Sequence, residues 1–285
     1  MPVRIVQSKQ NPRLKELRRA LARPGWQAHG DAAPLLAAIE GPKLLAEALR
    51  SHLTLTCVFV AQGEEALLDE LELPPQIEVL LVPKEILDSS LSTETPQPVA
   101  ALVEPPQWDW DDTLHASTKA IPLLLVLAGL QDPGNLGTIL RSAEAFGATG
   151  ILSLAGTVSA WNPKAVRASA GSLFRLPLLS VSAEECFARL HQAGVKIWTT
   201  ALHEAETADH INLNGPVALL IGNEGNGVPL ELATQADGAV TISYPGPVES
   251  LNASVAASIL LYEVSRQRTG KPAVSPGFDR NNILG

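Results

Sequence analysis

Three apolar runs in this 285-residue chain each lead directly into a glycine-containing turn. The runs lie at residues 121–130, 217–221 and 239–242, and their length and lack of charge predict buried strands. Glycine at the end of a strand allows a tight turn, or lets the backbone approach a ligand closely. The pattern therefore predicts an α/β fold in which the loops after the buried strands are candidates for a binding site.

The first turn contains Gly134, Asn135 and Gly137, and it opens a predicted helix that ends at Gly147. Apolar residues recur in this helix at helical spacing, at Leu136, Ile139, Leu140, Ala143 and Phe146. Arg141 lies off that apolar stripe. Taken alone, the segment is equally consistent with an ordinary strand–turn–helix unit that carries a solvated arginine.

The second turn is a flexible loop at residues 222–227, with the sequence GNEGNG. It contains no lysine followed by serine or threonine, and its glycines do not match the dinucleotide-binding order, so neither phosphate-binding motif is present. Its one charge, Glu224, suits a cationic or hydroxyl-bearing ligand better than a pyrophosphate. Alternatively, Glu224 only shapes the loop by accepting hydrogen bonds from neighbouring backbone N–H groups.

The third turn combines proline and glycine at residues 245–247 and precedes a long predicted helix. Ser250, Leu251 and Asn252 lie where that helix starts, and it continues to Arg268 with Gly270 as its stop. Serine and asparagine are favoured helix caps, which is the simplest structural reason for their presence here.

In their order and spacing, the three segments resemble the SpoU/TrmH family of RNA ribose 2′-O-methyltransferases, within the SPOUT superfamily. They match the motifs N-x-G-x-x-x-R-x-A-x-x-F-G, G-N-E-G-x-G and S-L-N-x-S-V-A over residues 120–268. Two departures stand out. Ser243 and Tyr244 replace a usual Pro-Met, and Asn226 lies where a basic residue is common.

The resemblance implies a parallel sheet flanked by helices with a deep trefoil knot, and a homodimer with cofactor pockets near the subunit interface. It implies methyl transfer from S-adenosylmethionine to a ribose 2′-hydroxyl. The catalytic residues that it implies are Arg141, Asn135, Glu224, Ser250 and Asn252. The cofactor-binding residues that it implies are Thr199, Thr200, Ala201, Leu220, Gly222, Asn223, Ile242, Ser250 and Leu251.

Arginine is effectively always protonated, so a literal base role for Arg141 is physically awkward. We expect instead that Arg141 pairs with an RNA phosphate and orients or polarises the hydroxyl, while a phosphate oxygen takes the proton. Asn135 would hold either Arg141 or the substrate.

The first 104 residues alternate predicted strands and helices, with helices expected at 42–50 and 64–71, and this alternation predicts a small α/β domain. It resembles the ribosomal-protein-like RNA-binding domain that precedes the catalytic domain in many family members. The supporting segments lie at residues 8–12, 40–43 and 95–97, although Pro98 stands where the family often has glycine. We expect a linker at residues 105–120, the catalytic domain at 121–270 and a loose tail at 271–285.

The net charge of −9 argues against a nucleic-acid partner only as an average over the chain. Residues 1–26 carry seven basic side chains and one acidic, whereas residues 64–112 carry thirteen acidic and one basic. A basic N-terminal helix therefore remains available for RNA phosphates. The predicted RNA-binding residues are Lys9, Arg13, Lys15, Arg18, Arg19 and Lys43. A solvated amphipathic helix is the plain alternative.

Other classes of function receive little support. Cys57 and Cys186 are far apart, and no histidine pattern suggests a metal site. The apolar runs are short of membrane-spanning length and the N-terminus lacks a signal-peptide core, so we expect a cytoplasmic protein with no membrane or metal partner.

Two rival functions remain to be weighed. A nucleotide-binding oxidoreductase would need a glycine fingerprint that is absent. A non-catalytic RNA-binding scaffold of the same fold would not need the intact polar residues of the three motifs. Ribosomal RNA is the first expected substrate and transfer RNA the second.

Overall fold

The computed structural model describes residues 2–22, 36–71, 73–115, 120–201 and 205–269. Its first sheet has five strands, in the spatial order β1-β4-β3-β5-β2, and mixes parallel with antiparallel pairs. Its elements are β1 (Val3–Ile5), α1 (Pro12–Ala22), β2 (Ala37–Glu40), α2 (Pro42–Arg50), β3 (Thr54–Ala61), α3 (Leu67–Glu70), β4 (Glu78–Val82), α4 (Lys84–Asp88) and β5 (Val99–Glu104).

The second sheet has seven strands, in the order β10-β12-β9-β11-β6-β7-β8, and every pair in it is parallel. Its strands are β6 (Leu123–Leu127), β7 (Gly150–Ser153), β8 (Leu178–Ser180), β9 (Lys196–Thr200), β10 (Glu206–Thr207), β11 (Val217–Ile221) and β12 (Gly238–Thr241). Its helices are α5 (Trp110–His115), α6 (Pro133–Ala145), α7 (Pro163–Ser169), α8 (Ala183–Gln192), α9 (Leu230–Ala233) and α10 (Ala253–Thr269), with a 3-10 turn at Ser172–Phe174.

The central strands β6 and β11 are buried along their whole length, because helices cover both faces of a parallel sheet. The expected α/β class and the parallel sheet are confirmed, whereas the trefoil knot stays a prediction. The carboxyl ends of β6, β9, β11 and β12 lie along one edge, where the three glycine-containing turns follow. Open parallel sheets bind their ligands at this edge.

Some local predictions need correction. The helix predicted for residues 64–71 covers only Leu67–Glu70, and the segment predicted as a linker contains α5. Thr113 and Leu114 of α5 are buried, and Thr113 packs against Gly150 of β7. The predicted tail, 271–285, lies outside the described residues. Within the described ranges, no helix is long and apolar enough to cross a bilayer.

The two sheets share one continuous apolar core, which includes Ala37 and Ile39 of β2, Leu125 of β6 and Val166 of α7. Helix α7 packs directly against β2, so the N-terminal part is held against the helices of the parallel sheet.

Candidate active site at the carboxyl ends of the parallel strands

Glu224, from the loop after β11, connects the second motif to the first. Its Oε1 accepts hydrogen bonds from the backbone N of Asp132 at 2.9 Å and from Asn135 Nδ2 at 3.1 Å. Its Oε2 accepts from the backbone N of Gln131 at 3.2 Å. Glu224 therefore does accept hydrogen bonds from backbone N–H groups, as the simpler alternative predicted, but these groups belong to the segment that leads into α6 rather than to its own loop.

The hydrogen bonds to Glu224 also set its charge. Burial opposes ionisation of the carboxyl, but the hydrogen bonds from the backbone of Asp132 and from Asn135 outweigh it and lower the pKa of Glu224. The loop therefore carries a carboxylate at neutral pH.

Asn135 extends this connection to the third motif. Its Oδ1 accepts a hydrogen bond from Asn252 Nδ2 at 3.0 Å. Asn252 also caps α10, because its Oδ1 accepts from the backbone N of Ser254 at 2.9 Å and of Val255 at 3.3 Å. One chain of side chains, Glu224–Asn135–Asn252, thus joins three loops that are distant in the sequence.

Arg141 stands apart from this polar chain. It is exposed on α6, and none of the described residues forms a hydrogen bond or ion pair with its side chain. Of the two partners expected for Asn135, Arg141 and the substrate, Arg141 is not bonded to it, because Asn135 is held by Glu224 and Asn252. Six steps along the helix leave an angle of roughly 120° between the two side chains around the axis, so they leave α6 in different directions.

A cleft of about 450 Å³ opens beside the polar chain, between the second and third motif loops and the end of β9. Its size lies within the usual range for a small-molecule or cofactor site. The predicted cofactor-binding residues in its wall are Thr199, Thr200, Ala201, Gly222, Asn223, Ile242, Ser250 and Leu251. Leu220 is absent from the wall: its side chain is fully buried in the core on the other face of the sheet, and only its carbonyl accepts from Thr200 Oγ1.

Gly222 has a structural role that the sequence did not show. A Cβ at this position would lie 2.1–2.3 Å from the backbone of Gly227 and Val228. The loop closes on itself there, because Asn223 N donates to Gly227 O and Gly227 N donates to Asn223 O, both at 2.9 Å. Glycine is therefore required by the close approach of the loop's own backbone.

Asn223 fixes the same loop from within. Its Nδ2 donates to the carbonyl of Gly129 at 2.9 Å, and its Oδ1 accepts from the backbone N of Gly225 at 2.9 Å. The side chain thereby ties the loop after β11 to the loop after β6.

The walls of the cleft differ in polarity. Ile221, Val240 and Leu260 form an apolar wall, and the loop with Asn223 and Glu224 forms a polar rim. Thr199 is 6% exposed at the end of β9, and its side chain lies in register with Leu220, on the other face of the sheet. An apolar wall beside a polar rim suits a ligand that has both polar and apolar parts, as S-adenosylmethionine has.

One residue beside the site was missed by sequence reasoning. Asp132 caps α6 by accepting from Asn135 N at 2.8 Å, and Lys164 of α7 donates to its other oxygen at 2.8 Å. The hydrogen bond from Lys164 is the main reason that the pKa of Asp132 is lowered. An aspartate three residues before Asn135 and directly before Pro133 is a local cap signal that could have identified it.

The predicted RNA-binding residues are not all equally available. Arg13 is paired with Glu16 at 2.9 Å and with Glu78 at 3.1 Å. Arg18 donates to the carbonyl of Lys9 at 2.8 Å and to Ser90 Oγ at 3.3 Å. The side chains of Lys9, Lys15, Arg19 and Lys43 are exposed.

Comparison with known proteins agrees with this architecture. Residues 122–262 match the SpoU rRNA methylase family, and residues 38–108 match the substrate-binding region of RNA 2′-O-ribose methyltransferases. The 23S rRNA (guanosine(2553)-2′-O)-methyltransferase RlmP of Bacillus subtilis is 33% identical over 230 residues, which cover 79% of this chain and 87% of the relative.

Solved structures agree over nearly the whole chain. The SpoU methyltransferase AviRb of Streptomyces viridochromogenes, in complex with S-adenosylmethionine, superimposes with a TM-score of 0.78 at 27% identity, covering 92% of this chain and all of the other. The rRNA methyltransferase of Sinorhizobium meliloti, also with S-adenosylmethionine bound, gives 0.77 at 30% identity, covering 93% of this chain and 98% of the other.

The fold and the site therefore define an RNA-modifying methyltransferase with an attached substrate-binding part. The chain belongs to the SpoU methylase family, whose members transfer a methyl group from S-adenosylmethionine to a ribose 2′-hydroxyl of RNA. In the part of the chain that the structure describes, no three His, Cys, Asp or Glu side chains are grouped closely enough to hold a metal ion.

Proposed function

We propose that this enzyme methylates a ribose 2′-hydroxyl of ribosomal RNA, with transfer RNA as the second candidate, and that it acts as a homodimer. The observation that carries the proposal is the hydrogen-bonded chain Glu224–Asn135–Asn252. This chain joins the start of α6, the helix that carries Arg141, to the two loops that line the cofactor-sized cleft. The ribosomal choice is supported by the relative RlmP, which is named for its action on 23S rRNA.

The wall of the cleft would hold the donor. S-adenosylmethionine, when bound, supplies a methyl group made electrophilic by its sulfonium, so the protein mainly has to position the acceptor in line with it. Gly222 and Leu251 offer backbone groups to the donor in this wall. Ser250 lines the cleft and lies two residues before Asn252, so the cleft and the polar chain are continuous along the third motif.

Arg141 would act on the acceptor. Its guanidinium is permanently charged, exposed and without a partner among the described residues, so it is free to pair with an RNA phosphate in two parallel hydrogen bonds. In that position Arg141 orients the ribose, and a phosphate oxygen takes the proton as the hydroxyl attacks. Asn135 cannot move freely, because it is held on both sides, and its role is to fix the turn from which Arg141's helix starts.

The homodimer is supported by an exposed apolar stripe on α10. Val255, Ile259 and Tyr262 are 46%, 38% and 39% exposed, and they lie at positions i, i+4 and i+7. Phe146, at the end of α6, meets the Tyr262 ring edge-on at 5.9 Å, and Ser142 of α6 bonds Ser258 of α10 at 2.7 Å. A second copy on this stripe would lie against the helix that carries Arg141.

Ile259→Glu should give monomers in sedimentation, whereas Leu230→Glu, at a more exposed position on α9, should not.

The function is tested by mapping 2′-O-methyl groups in ribosomal and transfer RNA from cells with and without this protein. We expect one ribosomal site to disappear in its absence and to return with the wild-type chain but not with Arg141→Ala. A site lost from transfer RNA instead would overturn the ribosomal assignment. If no site changes, the proposed function is wrong.

A further inference from the structure

A second groove, of about 690 Å³, lies between the first sheet and α7 and shares no lining residue with the cofactor cleft. One wall is the start of α2 with Gly41 and Lys43, another is the loop that contains Thr93 and Gln97, and Arg167 of α7 faces them from the parallel-sheet side. No part of the reaction described above uses this groove.

The groove has cationic groups that the protein itself does not use. Lys43 and Arg167 are exposed, and neither side chain bonds to any described residue. Helix α2 has nine residues and begins at Pro42, and the preceding Gly41 provides no side-chain cap. The backbone N–H groups of Lys43 and Leu44 therefore lack intrahelical partners and add to the attraction for an anion.

The groove also contains an acceptor that is not satisfied. Glu40 is 5% exposed, and its Oε1 accepts from Gln97 N at 3.0 Å and from Thr93 Oγ1. Its Oε2 is buried and has no hydrogen-bond partner. An anion alone would be repelled by this carboxylate, and the exposed Glu94 adds to the repulsion. The wall therefore favours a ligand that brings both an anion and an N–H or O–H donor.

The walls of the groove are held in a fixed relation. Arg175 binds Glu47 and Ser51 of α2, and Gly171 lies so close to Glu47 that a Cβ would be 2.9 Å from its Cβ. On the other side, α7 packs on Gly137 of α6, where a Cβ would lie 2.5 Å from Ala165 O. Helix α7 thus connects the groove to the helix that carries Arg141.

We propose that this groove binds one nucleotide of the RNA substrate outside the methylated site, with its phosphate between Lys43 and Arg167 and a ribose hydroxyl or base amino group donating to Glu40. A nucleotide brings both an anion and an N–H or O–H donor, whereas sulfate brings only the anion. The proposal rests on RNA as the substrate. It makes the groove a second anchoring point for the strand that enters the catalytic site.

The first test measures the affinity of a short single-stranded RNA of mixed sequence by fluorescence anisotropy over a salt series. Lys43→Ala and Arg167→Ala should each weaken binding about fivefold at 0.1 M salt and reduce the slope of log affinity against log salt by roughly 0.7. Lys196→Ala, at the exposed amino end of β9, is the control for loss of one positive charge and should change neither. Unchanged affinity and slope in Arg167→Ala would overturn the proposal.

Glu40→Gln tests whether the nucleotide donates a hydrogen bond to Glu40. If a nucleotide N–H or O–H reaches the carboxylate, this variant binds RNA more weakly with an unchanged salt slope. If the groove only attracts anions, removal of a negative charge makes binding tighter, and the nucleotide assignment is wrong. Equal binding of sulfate and of a nucleoside monophosphate to the wild-type groove, measured by calorimetry with Arg167→Ala as the blank, would overturn it as well.

Failure of the groove can be told apart from failure of the function. If the Lys43 and Arg167 variants transfer methyl groups and bind RNA as the wild type does, only the proposed RNA contact in the groove is wrong. If the wild-type protein transfers no methyl group to any RNA, the proposed function itself is wrong.

Discussion

Arg175 and Glu144 form a two-fold hydrogen-bonded pair, with Nε donating to Oε1 at 2.6 Å and Nη2 donating to Oε2 at 3.0 Å. The remaining nitrogen, Nη1, donates to Glu47 Oε2 and to Ser51 Oγ, each at 2.9 Å. Glu144 belongs to α6 of the catalytic sheet and Glu47 to α2 of the first sheet. The hydrogen bond from Arg175 is the main reason that the pKa of Glu144 is lowered, so the pair stays charged well into the acidic range.

Arg175→Ala should loosen the attachment of the first sheet to the second. We expect a loss of about 1 kcal/mol in unfolding free energy, since the pair is bidentate but about a third exposed. Arg266→Ala, which breaks a similarly short pair with Glu263 inside α10, is the matched control. Small-angle scattering should show a larger radius only for the Arg175 variant. The same radius in both variants would contradict the attachment.

Gly222→Val should abolish S-adenosylmethionine binding, because a side chain would collide with the backbone of Gly227 and force the loop open. Gly225→Ala is the control in the same loop, since its Cβ would approach only Asn223 Oδ1 at 3.5 Å. Isothermal calorimetry with the cofactor measures both variants. Normal affinity in Gly222→Val would show that the loop does not form the cofactor site.

Arg141→Ala should fold normally and bind S-adenosylmethionine with unchanged affinity, because the exposed side chain forms no hydrogen bond or ion pair with the described residues. Methyl transfer to RNA should fall by at least a hundredfold, or about 3 kcal/mol in the barrier, as for loss of one electrostatic group at a reacting centre. Arg141→Lys should not restore it, because a point charge lacks the planar fork. Near-normal transfer by either variant is the result that would count against the role of Arg141.

Glu224 should make part of the stability of the enzyme depend on pH. Its pKa is lower in the folded chain than in the unfolded chain, so the stabilisation is present above the unfolded value of about 4.3 and is lost as pH falls through the folded value. Glu224→Gln should therefore be less stable than wild type at neutral pH, and the gap should shrink in acid. Chemical denaturation across pH measures the gap, with Glu231→Gln on exposed α9 as the control for charge removal. A gap that widens in acid would contradict this sign.

The basic residues at and just before helix α1 should divide into two groups. Lys9→Ala and Lys15→Ala should each reduce the salt slope of RNA binding by roughly 0.7, because these exposed side chains are free for phosphates. Arg13→Ala should instead lower stability by about 0.5 kcal/mol, because it removes the pairs with Glu16 and Glu78. Salt-dependent anisotropy and thermal unfolding separate the two effects. The opposite pattern would assign the RNA contacts to Arg13.

The parts of the fold that local sequence determines were predictable. Helix α2 was expected at residues 42–50 and lies there, since a proline start and an apolar stripe are both local signals. The predicted helix at 64–71 was too long, because its residues are mostly exposed and a short helix without a buried face is marginal. Strands β7 and β8 have four and three residues, too few to show a period, and were not predicted.

The connections within the site were less accessible to sequence reasoning. The three motifs located Asn135, Glu224 and Asn252, but the bonds between them join positions 89 and 117 residues apart. Only the fold shows that Asn135 is held by the other two rather than by Arg141. Arg175 likewise carried no signal, because its partners come from two different sheets.

The loop of the second motif is held in place by its own hydrogen bonds, without any ligand. Its ends are bonded to each other through Asn223 and Gly227, and the Asn223 side chain binds it to the loop after β6. A rim that is already ordered loses little conformational entropy when the cofactor enters. We therefore expect the amide hydrogens of this loop to exchange slowly in the free enzyme as well as in the complex. The affinity of the cleft is then set by the contacts it makes, not by the entropy of closing a loop.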